Sequence, residues 1–167
     1  EKTYEYTVNE VIPEGATAEN NYTVNGVTYD SKTVNVKVTV TYNKETGELK
    51  AELAKDSEAI AFQNSYETKT SIGLEGTKSL SGRTLKDGEF TFEVKDKAGK
   101  VVATGSNKSD GSISFNNKLN YKLSDLEKAD GSYESEKTYE YTVNEVIPEG
   151  ATAENNYTVN GVTYDRK

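Results

Sequence analysis

Cysteine, histidine, methionine and tryptophan are all missing from this 167-residue chain. That excludes disulfides, zinc sites of the His/Cys kind, Ser-His-Asp triads and cysteine nucleophiles together. Positive charge is also short: 20 basic residues stand against 28 acidic ones, a net charge of -8. Nucleic-acid binding needs clustered Lys and Arg to neutralise phosphates, so it is disfavoured, as is attachment to a membrane surface. No apolar run approaches the roughly 20 residues of a spanning helix, and no signal-peptide pattern is visible. Glu1 does not read as a natural start, so a piece of a longer chain is expected. Nothing implies a metal or cofactor. Gly73 to Lys78 is too short for a phosphate-binding loop, and Ser106 to Gly111 lacks calcium-loop spacing.

What is present favours strands. Apolar residues make up only 33% of the chain, but 12 Tyr and 4 Phe join many Val and Thr. Thr33 to Tyr42 alternates Val with polar residues at period 2, the signature of a half-buried strand. Asn43 to Gly47 reads as a turn and Leu49 to Leu53 as the returning strand. Further strands are expected at Ile60 to Tyr66, Glu89 to Val94, Val101 to Thr104 and Ile113 to Phe115. Tyr139 to Val146 and Tyr4 to Val11 also alternate. Only Lys122 to Ala129 could hold a short helical turn. Turn signals spaced by about 8–12 residues predict an all-β fold, an antiparallel sandwich.

Residues Glu1 to Asp30 recur without change at Glu136 to Asp165. Thirty identical residues require duplication, and an offset of 135 residues suits beads on a string, one domain per bead. The chain is cut out of phase with that period. Residues 1–67 read as the C-terminal part of one repeat and 68–167 as the N-terminal part of the next. Residues 31–165 hold one full period in rotated order.

Three kinds of residue stand where an apolar one would be expected: Lys78, Glu145 with its twin Glu10, and Asn64. Asn64 shares a strand face with Phe62 and Tyr66. Isolated in an apolar core, each would be costly. Together they have a chemical use. Burial favours the neutral amine, a nucleophile, and the protonated carboxyl, a proton donor. A lysine amine could attack the asparagine carboxamide while the carboxyl polarises its oxygen and passes a proton to the departing nitrogen. The product is an amide with ammonia lost, formed once per site. The plain alternative is that these are surface residues, the commoner fate of Lys, Glu and Asn in strands.

The run Lys78-Ser79-Leu80-Ser81-Gly82-Arg83-Thr84-Leu85-Lys86-Asp87-Gly88-Glu89-Phe90-Thr91-Phe92 resembles the opening of the streptococcal-type pilin isopeptide linkage domain. This is the backbone-pilin and T-antigen family of Gram-positive bacteria. Asp110 to Phe115, Tyr141 to Glu145, Gly161 to Asp165 (with Gly26 to Asp30) and Phe62 to Tyr66 are similar to its later segments. The likeness covers nearly the whole chain. It implies an immunoglobulin-like, CnaB-like β-sandwich with a Lys–Asn isopeptide cross-link. By this resemblance the linked pair is Lys78 and Asn64, and the catalytic carboxylate is Glu145 or Glu10.

The order departs from the family's Lys, Glu, Asn: here Asn64 comes first and Lys78 follows 14 residues later. The family's first and last strands lie parallel, and parallel neighbours need a crossover of about a dozen or more residues, so a bond within one chain is strained. Strand exchange between copies, head to tail, is easier. Residues 65–165 of one chain would receive residues 31–64 of another, and the duplicated segments would compete for one slot. The expected function is a structural stalk module of an extracellular, cell-wall-anchored bacterial adhesin, not a turnover enzyme. Its partners would be neighbouring repeats or other copies. An adhesive module binding a host protein or glycan is the alternative, since identical repeats suit avidity. A glycosidase-like acid pair is a third class, but nothing selects one from the 28 carboxylates.

Overall fold

A computed structural model describes every residue from Glu1 to Lys167. The chain forms two compact units, Glu1–Thr68 and Lys69–Lys167. All regular structure is strand apart from three single 3-10 turns, and every strand pairing is antiparallel. The all-β antiparallel class expected from alternation holds. The one helical expectation, Lys122 to Ala129, shrinks to a 3-10 turn at Leu123–Leu126.

In the first unit β1 (Lys2–Asn9), β4 (Thr33–Asn43) and β5 (Glu48–Leu53) form one sheet in the order β1-β4-β5. A tight hairpin of β2 (Thr23–Val24) and β3 (Val27–Thr28) pairs with β6 (Ser65–Tyr66). The alternation of β4 puts Val34, Val36, Val38 and Val40 on one face. Their cross-strand partners Val8, Tyr6 and Tyr4 and then Leu53 and Ala51 share it. Only Val34 and Ala16 are buried in this unit. Tyr6, Leu53, Tyr42 and Leu49 are all more than half exposed. The sheet therefore has an apolar face without the second layer that such a face ordinarily requires.

In the second unit β8 (Thr91–Lys95), β9 (Val101–Asn107), β10 (Ile113–Phe115) and β12 (Thr142–Glu145) form a sheet in the order β10-β9-β8-β12. Beside it β7 (Lys69–Ile72) pairs with β11 (Leu119–Lys122), and β13 (Thr158–Val159) with β14 (Val162–Thr163). Here the core is real: Phe90, Phe92, Val94, Ala103, Leu119 and Ala151 are buried, Val94 completely. Asn107 is buried among them and is fully bonded. Its Oδ1 accepts the Phe90 N–H, and its Nδ2 donates to the Lys86 and Lys108 carbonyls. It clamps the loop before β8 to the end of β9.

Three expected strands are shorter than the alternation suggested. Ile60 to Tyr66 is reduced to Ser65–Tyr66, because residues 60–64 find no ladder neighbour and Gln63 and Asn64 bond to Asp30 instead. Tyr139 to Val146 is reduced to Thr142–Glu145, opposite the stretch Phe92 to Lys95 of β8. Glu89 to Val94 starts only at Thr91, because Glu89 turns out to meet Arg83 in a two-pronged pair at 2.8 and 3.0 Å.

Candidate functional site

The second unit places Lys78 and Glu145 together. Lys78 lies in the short stretch joined to the 108–112 turn: its N–H donates to the Gly111 carbonyl at 2.7 Å, and Thr77 bridges to Ser112. Gly111 has φ +91°, and a Cβ there would lie 2.9 Å from the Lys78 carbonyl oxygen. Only glycine lets the turn approach this closely. The lysine side chain, 12% exposed, runs inward over the Phe90 ring, with Nζ 4.5 Å from its centroid. Tyr164 packs against the edge of that ring. Lys78 Nζ ends 2.6 Å from Oε1 of Glu145, whose side chain is 4% exposed. The contact is close but off the hydrogen-bond direction, so Oε1 has no well-aligned bond. Oε2 accepts the Asp165 N–H at 3.2 Å.

The first unit places Asn64 and Glu10 together. Asn64 Nδ2 donates to Glu10 Oε2 at 2.8 Å, and Asn64 Oδ1 accepts the Asp30 N–H at 2.9 Å. The Asp30 carboxylate fixes this arrangement by accepting the N–H groups of Gln63 and Lys32. Those two bonds, the first foremost, hold its carboxyl below the usual carboxylate range. Asn64 was expected to point into a core with Phe62 and Tyr66, but within this unit it is exposed.

The four residues singled out from the sequence are thus brought together in two pairs. Lys78 sits with Glu145, and Asn64 with Glu10, each pair in its own unit. Sequence reasoning missed the Asp30 backbone N–H, which a sequence cannot signal. It also gave the carboxyl both tasks, polarising the asparagine oxygen and passing a proton to the departing nitrogen. The structure puts Glu10 at the nitrogen and the Asp30 N–H at the oxygen. The same N–H in the duplicated segment, that of Asp165, bonds to Glu145, since no asparagine is there to receive it.

The family described as Spy0128-like isopeptide containing domain, FctA, matches residues 1–67 and again 74–167. The chain belongs to this family. It is a pilin-type structural domain, and the FctA assignment supports an extracellular surface location and assembly with other pilin subunits. No curated protein and no solved structure matches it. The two FctA matches fall one on each unit. No group of His, Cys, Asp or Glu side chains is arranged to hold a metal ion, and no helix is long and apolar enough to cross a membrane.

Proposed function

We propose that this chain is a stalk module of a bacterial surface fibre, locked by a Lys78–Asn64 isopeptide bond formed between copies. One observation carries the reading: the reacting set is divided. One unit holds the amine with a carboxylate, and the other holds the carboxamide with the twin carboxylate, its carbonyl already bonded to a backbone N–H. Each unit is what the other lacks.

When the two meet, Glu10, the carboxylate that faces Asn64, accepts a proton from the Lys78 ammonium. The freed amine attacks Cγ of Asn64. The Asp30 N–H stabilises the oxygen as negative charge develops on it. That carboxyl faces Nδ2 and returns a proton there, so the Cγ–Nδ2 bond breaks and ammonia leaves; the carboxylate then takes the surplus proton from the new amide nitrogen. One C–N bond forms and one breaks, and no metal or redox partner is needed. Proximity in a closed core supplies the acceleration, and the reaction occurs once. Pulling force then runs through a covalent bond, and kinetic stability is the gain for an exposed fibre.

Mixing two variants tests this. Lys78→Ala supplies only the carboxamide and Asn64→Ala only the amine, so neither links alone. Their mixture should give one covalent dimer, lighter than two chains by one ammonia, whereas the unaltered chain gives a ladder of multimers. Ammonia loss in the unaltered monomer, with no dimer in the mixture, would show that the bond closes within one chain.

A further inference from the structure

The twin segments carry the same strand, yet each uses a different edge. In the second unit the Val146 N–H donates to the Thr91 carbonyl, so by the alternation of an antiparallel ladder Thr142 and Asn144 face β8. In the first unit the Ala54 and Glu58 N–H groups donate to Lys37 and Asn35, so Val34, Val36, Val38 and Val40 face β1. Their partners Val8, Tyr6 and Tyr4 face them in return. Thr7 and Asn9, the twins of Thr142 and Asn144, therefore point to the open edge of β1. No backbone group is required twice. One such strand can sit between β8 and β4, with Val94, Val8 and Val34 in one apolar row and Glu10 on the same face.

The strand that would leave is decided by what it gives up. β1 is tied to β4 by eight paired residues, and Glu10 holds Asn64. β12 is tied to β8 by four, and residues 136–141 form no ladder at all. Releasing the second is cheaper. We infer that the first unit of a second copy docks as one body onto β8, with its β1 taking the place of Thr142–Glu145, so that residues 136–165 are an exchangeable latch. The bare apolar face of the β1-β4-β5 sheet gives the incoming body something to bury on arrival. This rests on the cross-link proposed above and gives the one slot for which the duplicated segments compete to residues 1–30. The carboxylate at the finished bond is then Glu10, and Glu145 guards Lys78 only until exchange.

Intact-mass measurement on full-length variants tests this. Glu10→Gln should slow linking by about 100-fold or more, the ordinary worth of a lost acid–base group. Glu145→Gln should link at least as fast as the unaltered chain, because it loosens the latch. Thr7→Pro supplies a second check: it spares the bonds to β4, removes a donor to β8, and should block linking. Thr142→Pro should not block it. If Glu145→Gln or Thr142→Pro abolishes linking, the latch stays in place and the inference fails, although the bond itself survives. If the unaltered chain never loses ammonia, the underlying cross-link fails, and the inference with it.

Discussion

Residues 1–30 and 136–165 are one sequence in two settings, and they do not fold alike throughout. Their second halves do. Asn21, Tyr22 and Asn25 have φ of 55°, 57° and 51°, and their twins Asn156, Tyr157 and Asn160 have 55°, 54° and 51°. The same 3-10 turn and the same two-residue hairpin follow. Their first halves diverge: eight residues of strand in one copy, four in the other. Turn chemistry is local, so it is fixed by the residues themselves. Strand length is set by the neighbour, and β4 offers a longer one than β8. The identical glutamates differ for the same reason, one meeting a carboxamide and the other an amine.

The sharpest way to break this symmetry is at the two reacting residues. Lys78→Ala and Asn64→Ala should both abolish ammonia loss by mass spectrometry, but only the first strands a buried carboxylate. Unfolding of the second unit should become easier by about 3 kcal/mol for Lys78→Ala, the cost of breaking a buried pair from one side. Asn64 is exposed, so Asn64→Ala should change the unlinked chain by under about 1 kcal/mol. Equal losses would mean that the lysine is not held as described.

Next in size is the contrast between the covered and the bare sheet. Val94→Ala removes a fully buried side chain and should cost about 2 kcal/mol in denaturant unfolding. Leu53→Ala, at a residue 68% exposed, should cost under about 0.5 kcal/mol in the free chain and more once copies are linked.

A smaller effect separates two glycines. Gly26 and Gly161 have φ of +83° and +81°, so alanine is strained at both, by about 1 kcal/mol. At Gly26 a Cβ would also lie 2.6 Å from the Glu67 carbonyl oxygen and 2.8 Å from the Tyr66 ring, whereas Gly161 faces open space. Gly26→Ala should therefore destabilise its unit clearly more than Gly161→Ala does in its own, as read by thermal melts of the two variants.

The smallest effect is in acid. The Arg83 pair, with the Lys86 N–H, lowers Glu89 from 4.5 to about 2. Its stabilisation of the loop before β8 is thus full above 4.5 and lost as pH falls toward about 2. Glu89→Gln should remove that part of the acid transition from the second unit and leave the first unit's titration unchanged.

The parts legible in the sequence were those ruled by period and by local chemistry. The hairpin Thr33 to Leu53 was plain because Val alternates through it and Asn43 to Gly47 closes it. The small hairpins are equally legible in Asn25-Gly26 and Asn160-Gly161, a strong two-residue turn signal. The four site residues stood out as polar groups in strand-like runs, but their chemistry came from the resemblance, since a lone Lys or Asn in a strand says nothing of its depth. Their division into two pairs could not be read from composition or period, because it depends on which elements pack together. Asn107 gave no sign at all: a buried clamp and a surface asparagine look alike in one dimension.

The tyrosines close to the latch have a practical consequence. The Tyr121 hydroxyl lies 2.7 Å from that of Tyr141, its ring is 5.0 Å from that of Tyr139, and burial followed by the Tyr141 bond pushes its phenol up to about 12. Both neighbours belong to the duplicated segment, and their twins are Tyr6 and Tyr4. With no tryptophan in the chain to mask phenol emission, departure of one segment and arrival of the other would register as a fluorescence change that first appears and then fades. The molecule carries its own optical clock for assembly.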